Sequence, residues 1–149
     1  MTDITLILLA AGNSSRFECD VKKQWLRIGH EPLWQYVARK CVETKLFNKI
    51  IITSSSDDIE FMRSYDSFTF VEGSTTRQNS LKNALKEVET DFVLVSDIAR
   101  SCINEEFLKN IISKKGNADC IVPYLKVSDT IVYNNDTIDR DQVKRIQTP

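Results

Sequence analysis

The side chains best placed for chemistry are a few cations, small residues and one carboxylate at the ends of apolar runs. Leu9-Ala10-Ala11-Gly12-Asn13-Ser14-Ser15-Arg16-Phe17 closes the first run. Small residues let backbone N–H groups approach an anion, Gly12 permits a tight turn, and Arg16 adds a fixed positive charge. The stretch suits a phosphate cradle or, equally, a plain connector from strand to helix. Lys22-Lys23-Gln24 brings two further cations into the same long loop. Glu72-Gly73-Ser74-Thr75-Thr76-Arg77-Gln78-Asn79-Ser80 could surround a base or ribose with hydroxyls and amides, or simply cap a helix. Val95-Ser96-Asp97-Ile98-Ala99-Arg100 ends another run in a carboxylate. A hard cation such as Mg²⁺ takes oxygen ligands, so Asp97 suits a metal beside phosphates, with Arg100 steadying it or reaching a substrate anion. A helix-capping Asp with a solvated Arg is the alternative.

Other chemistries fit poorly. Neither G-x-G-x-x-G nor G-x-x-x-x-G-K-[ST] occurs, so the nicotinamide-binding fingerprint is absent. The single histidine, His30, lies beside Gly29 and reads as a loop residue, which leaves histidine-based catalysis without support. Trp25 and Trp34 read as packing residues. Cys19, Cys41, Cys102 and Cys120 form no C-x-x-C pair, so zinc is not expected and reduced thiols in a cytoplasmic protein are.

The elements that must hold these groups alternate in period. Ile4 to Leu9 is a nearly continuous apolar run, as expected of a strand buried on both faces. Trp34, Val37, Ala38, Cys41 and Val42 recur at helical spacing after Pro32. Strands are predicted over 49–53, 68–71, 92–95 and from Cys120-Ile121-Val122-Pro123. Helices are predicted over 57–65, on Leu81, Ala84, Leu85 and Val88, and on Phe107, Leu108, Ile111 and Ile112, the last with Asn104 as cap. This alternation implies an α/β fold with a mainly parallel sheet flanked by helices on both faces. Past Pro123 the rhythm breaks. Thr130 to Tyr133, a turn at Asn134-Asn135-Asp136 and a second segment to Ile146 read as a hairpin arm with little to bury, suited to packing on a partner subunit.

A chain of 149 residues suits one domain with its own core. Its net charge of -1 supplies no basic excess for a nucleic-acid backbone. The run from Ile4 to Ala11 is far short of the roughly 20 residues that span a bilayer. Neither nucleic acid nor membrane is an expected partner.

Taken in order, Leu9-Ala10-Ala11-Gly12 with Arg16-Phe17, Lys23-Gln24, Gly73 with Arg77 and Ser80, Asp97 with Ala99-Arg100, Asp129-Thr130, Asp139-Arg140 and Thr148-Pro149 resemble the 2-C-methyl-D-erythritol 4-phosphate cytidylyltransferase family. The Lys-Lys-Gln-Trp-Leu and Ser-Asp-Ile-Ala-Arg wording is most similar to bifunctional members, in which a cyclodiphosphate synthase domain follows. The resemblance implies a Rossmann-like nucleotidyltransferase domain over 1–149, truncated at its carboxyl end, with a protruding β arm over about 126–147. It implies transfer of a cytidylyl group from CTP to a small polyol phosphate, with Mg²⁺ as cofactor, in a homodimer joined through the arm. Ala10, Ala11, Gly12, Gly73, Arg77, Ser80 and Asp97 would hold CTP, and Asp97 also the metal. Arg16, Lys23 and Arg140 would be catalytic, and Arg100, Thr130 and Arg140 would bind the methylerythritol phosphate. Ser14, Ser74, Ile98 and Ser101 depart from the family's usual residues. Ribitol-5-phosphate cytidylyltransferases share most of these motifs, and a CTP-binding domain without turnover is the other alternative.

Overall fold

The computed structural model describes residues 3–12, 21–65 and 68–146, which fall into two compact units, Met1–Glu105 and Glu106–Pro149. In the first unit four strands, β1 (Ile4–Leu9), β4 (Lys49–Ser54), β5 (Thr69–Glu72) and β6 (Phe92–Asp97), form a parallel sheet in the order β5-β4-β1-β6. β1 lies inside the sheet, pairing Leu6 with Ile50 on one side and Leu94 on the other. This position explains its unbroken apolar run, since neither face meets water.

Helices cover both faces, as the alternation predicts. α1 (Leu33–Glu43) and α2 (Ser56–Arg63) pack Trp34, Val37, Ala38 and Met62 against Leu6, Leu8, Ile50 and Ile52. α3 (Arg77–Leu85) sets Ala84 against Ile7 and Ile51 on the opposite face. Trp34 is fully buried, and its ring meets Trp25, Phe68 and Phe70 edge-on at centroid distances of 6.0–6.4 Å. Each such buried aliphatic or aromatic side chain stabilises the fold by about 1.5–3 kcal/mol. The loop between β1 and α1 contains a short 3₁₀ turn, Lys23–Trp25, and a small hairpin of β2 (Arg27–Ile28) and β3 (Glu31–Pro32), turned at Gly29 with φ of 61°.

The second unit departs from expectation in two places. Residues 120–123 form no strand. A strand is held by a ladder, and among the described residues none is made there; Pro123 also has no N–H to give. The arm is not a single hairpin either. An inner ladder joins β8 (Ile131–Tyr133) to β9 (Asp136–Ile138) through Asn134 and Asn135, both left-handed at φ 52° and 62°, as a two-residue type I′ turn demands. An outer ladder joins β7 (Leu125–Lys126) to β10 (Lys144–Arg145), with Lys126 directly opposite Lys144. The Lys144 ammonium sits 4.9 Å over the Tyr124 ring. α4 (Glu105–Ile112) precedes these strands.

Candidate active site

The sheet order turns back between β1 and β6, so the carboxyl ends of its strands open into a crevice where α/β sheets hold ligands. A cavity of about 720 Å³ lies there, with walls supplied by all four strand ends. Leu9 to Gly12 lie at the end of β1 and beyond, Thr53, Ser55 and Ser56 at that of β4, Glu72 to Arg77 at that of β5, and Asp97 to Ala99 at that of β6. Three backbone hydrogen bonds carry the ladder past the strands into these loops: Ala10 N–H to Thr53 O (2.8 Å), Gly73 N–H to Ser54 O (2.8 Å) and Ile98 N–H to Leu9 O (3.0 Å). The loops therefore leave the sheet in fixed directions.

Gly73 forms the floor. A Cβ built there would stand 2.2 Å from the Ala11 Cβ and 3.2 Å from Ser80 Oγ, so only glycine lets the two loops approach this closely. Gly12, by contrast, keeps out of the left-handed region, and among the described residues nothing lies within 4 Å of where its Cβ would be. The turn expected at Gly12 runs into residues outside the described ones. Ser80 is buried and its hydroxyl is engaged within the loop, accepting from Ser74 N–H (2.8 Å) and donating to Thr76 O (2.9 Å). Thr76 in turn caps α3, accepting from Asn79 N–H at 3.1 Å. The polar loop after β5 is therefore both a cavity wall and a helix cap, and the two readings of it hold together.

Asp97 ends β6 with one carboxylate oxygen 2.9 Å from Arg77 and the other 3.8 Å from Arg100. Arg100 is not part of the cavity lining; it touches the site through this carboxylate. Lys23 and Gln24 also line the cavity. Their turn is tied to α2 by Asp58, only 8% exposed, which accepts from Lys22 Nζ (2.6 Å), Trp25 Nε1 (2.8 Å), Gln24 Nε2 (3.3 Å) and Ser55 Oγ (2.8 Å). Burial alone would raise the Asp58 pKa; hydrogen bonds from Lys22, Trp25 and Ser55, with the Lys22 charge, outweigh it and hold the carboxyl below the ordinary aspartate range. Lys22 pairs with Asp58, and of the two adjacent lysines Lys23 is the one in the cavity lining.

Of the residues singled out in the sequence, Ala10, Ala11, Gly12, Lys23, Gly73, Arg77, Ser80 and Asp97 surround this cavity. Arg16 lies outside the described residues, as does Thr148-Pro149. Thr130 and Arg140 belong to the second unit; both are exposed, and Arg140 donates to the Ser128 carbonyl at 3.1 Å. Thr53, Ser55, Ser56 and Asp58 were not anticipated. The signal was available, since residues 53–56 follow an apolar run just as residues 9–12 do, and Ser55 with Asp58 has capping-box spacing. The buried Thr53 hydroxyl, on the cavity wall, has no partner among the described residues.

A single carboxylate is a sparse metal site, and no cluster of three acidic, His or Cys ligands occurs among the described residues. Mg²⁺ nevertheless suits one carboxylate when phosphate oxygens and waters complete its shell, so Asp97 fits that cation only together with a polyphosphate.

The family model for 2-C-methyl-D-erythritol 4-phosphate cytidylyltransferase matches residues 4–149. The chain belongs to this family. It is 66% identical over 146 residues to the bifunctional enzyme IspD/IspF of Sulfurimonas denitrificans, covering 98% of this chain and 38% of that one. Among solved structures, it is similar to the bifunctional IspDF from Campylobacter jejuni, with a TM-score of 0.90 at 42% identity over 99% of this chain and 40% of the other. It is also similar to the 4-diphosphocytidyl-2C-methyl-D-erythritol synthase from Anaerococcus prevotii, with a TM-score of 0.79 at 26% identity over 98% of this chain and 68% of the other. The chain spans about two fifths of the length of the bifunctional relatives it matches. No helix among the described residues is long and apolar enough to cross a membrane.

Proposed function

We propose that this chain carries the cytidylyltransferase part of such an enzyme, transferring CMP from CTP to 2-C-methyl-D-erythritol 4-phosphate with release of pyrophosphate. The observation that carries the proposal is that Lys23 and Asp97 line one cavity floored by the close approach of Ala11 and Gly73. The base and ribose would rest against Ala10, Ala11 and the loop from Gly73 to Thr76. An oxygen of the acceptor's phosphate attacks the α-phosphorus of CTP in line. A new P–O bond forms as the bond to the β-phosphate oxygen breaks, and that electron pair leaves with pyrophosphate. The acceptor is already anionic near neutral pH, so no histidine base is needed. Lys23 and Arg16 would neutralise charge building on the α-phosphoryl group. Asp97 would hold Mg²⁺, which when bound offsets the charge of the triphosphate. Arg77 would then pass from Asp97 to the phosphates.

Thr130 and Arg140 would bind the acceptor, reaching the site of a partner subunit in a homodimer joined through the arm. The exposed Val132 and Tyr133 of β8 give that arm an apolar surface to cover. Cys41, Cys102 and Cys120 are free thiols, consistent with a cytoplasmic setting.

The test is pyrophosphate release by the intact gene product with CTP, Mg²⁺ and either methylerythritol phosphate or ribitol 5-phosphate. Turnover with the former and not the latter is expected. Preference for ribitol 5-phosphate would reassign the acceptor. CTP binding by calorimetry without any turnover would reduce the chain to a nucleotide-binding module.

A further inference from the structure

We infer that Asp58 is a positioning residue for Lys23, holding that ammonium at the cavity wall through the turn that carries it. The inference rests on reading the cavity as a nucleoside triphosphate site. An ordinary helix cap at α2 needs only Ser55, whose hydroxyl accepts from Asp58 N–H at 3.4 Å. The Asp58 carboxylate does much more. Three of its four donors come from Lys22, Gln24 and Trp25, the residues flanking Lys23 on both sides. The turn itself has little means of keeping its shape. It is a single 3₁₀ turn with Trp25 N–H on Lys22 O (2.9 Å) and Leu26 N–H on Lys23 O (3.2 Å), too short to persist alone. Beside the packing of Trp25 on Trp34, the carboxylate supplies a polar restraint to Lys22, Gln24 and Trp25 together, from a residue 33 to 36 positions further along the chain.

The arrangement also sorts charge. Asp58 pairs with Lys22 at 2.6 Å, and Lys23 is the lysine of this turn that lines the cavity. A flexible lysine stem is costly to hold in one place, and anchoring its backbone on both sides lowers that cost before substrate arrives.

The experiment compares the intact gene product with Asp58→Asn, Lys23→Ala and the double variant. Asp58→Asn keeps the side-chain shape but loses its charge and one acceptor. Its kcat is expected to fall roughly 10-fold, with KM for CTP changed by less than about twofold. In the Lys23→Ala background the same change should alter kcat by less than about twofold, because nothing remains to be positioned. An unchanged kcat in the single variant overturns the inference, as does a full multiplicative loss in the double variant, the signature of a general structural role. Trp25→Phe removes one donor while keeping a ring, and covers the case in which Asp58→Asn does not fold; a smaller fall in kcat is expected, and none would overturn the inference.

A second readout needs no turnover. Labelling of Lys23 by an amine reagent, mapped by mass spectrometry, should be slowed by inorganic tripolyphosphate in the parent and not in Asp58→Asn. Equal protection in both overturns the role of Asp58. Protection in the parent without pyrophosphate release sinks the cytidylyltransferase reading and leaves the positioning role standing. No protection in the parent overturns both.

Discussion

Two carboxylates serve this region, Asp97 on the cavity lining and Asp58 behind the turn that carries Lys23, and they differ in almost everything else. Asp58 is buried and its carboxylate accepts four hydrogen bonds. The Asp97 side chain is 42% exposed, and its arginine partners are 58% and 26% exposed. In water an ion pair is weak and readily exchanged; out of water it is strong and costly to break. The same chemistry therefore serves on one wall as a fixed clamp and on the other as a contact that a phosphate or cation can displace.

Five variants probe that contrast. The largest expected effect is on the clamp: Asp58→Ala strands Lys22, Trp25 and Gln24 together and should lower stability by about 3 kcal/mol in urea unfolding. A loss below about 1 kcal/mol would mean that water replaces the carboxylate and the wall is not rigid. Lys23→Ala should slow turnover roughly 10²-fold while shifting stability by less than about 0.5 kcal/mol. If it unfolds the protein instead, the lysine is holding the wall together and not facing a ligand.

Acid separates the walls next. The folded-state pKa of Asp58 is lowered, so its contribution to stability is complete above the unfolded aspartate pKa near 4 and is lost as pH falls through the folded value. Thermal unfolding followed from pH 6 down to 2 should show a steeper decline in the parent than in Asp58→Asn. Parallel curves would remove the clamp. The smallest effect belongs to the open wall. Arg77→Ala should change stability by about 0.5 kcal/mol or less, whereas Asp97→Asn, equally mild in unfolding, should raise the Mg²⁺ needed for half-maximal pyrophosphate release. Metal titrations that overlay the parent would leave Asp97 with its arginines alone.

This contrast also marks what the amino-acid sequence could reveal. Continuous apolar runs gave the central strands because burial on both faces leaves no room for alternation, and the rule that ligands sit beyond strand ends led directly to Ala10, Gly73 and Asp97. The clamp left almost no local trace. Ser55 and Asp58 read as a helix start, and only folding brings the carboxylate to Lys22 and Trp25 across more than thirty residues. Ser80 was legible as a residue of the site, but its inward-turned hydroxyl was not, since hydrogen-bond direction depends on Ser74 and Thr76 around it. Residues 120–123 have strand composition, yet composition cannot supply the neighbour that a ladder needs. The arm's turn was visible in its asparagines, while the pairing of β7 with β10 was hidden because two residues per strand carry no period.

The contact between Gly73 and Ala11 bears on any effort to reshape this cavity. Its base is the Gly73 main chain against the Ala11 methyl, so enlarging either residue would force the two crossover loops apart, whereas exchanges at Lys23, Arg77 and Asp97 would alter the lining and leave that contact in place. A substantially deeper cavity would come from changed loop length, with both segments redesigned as one piece.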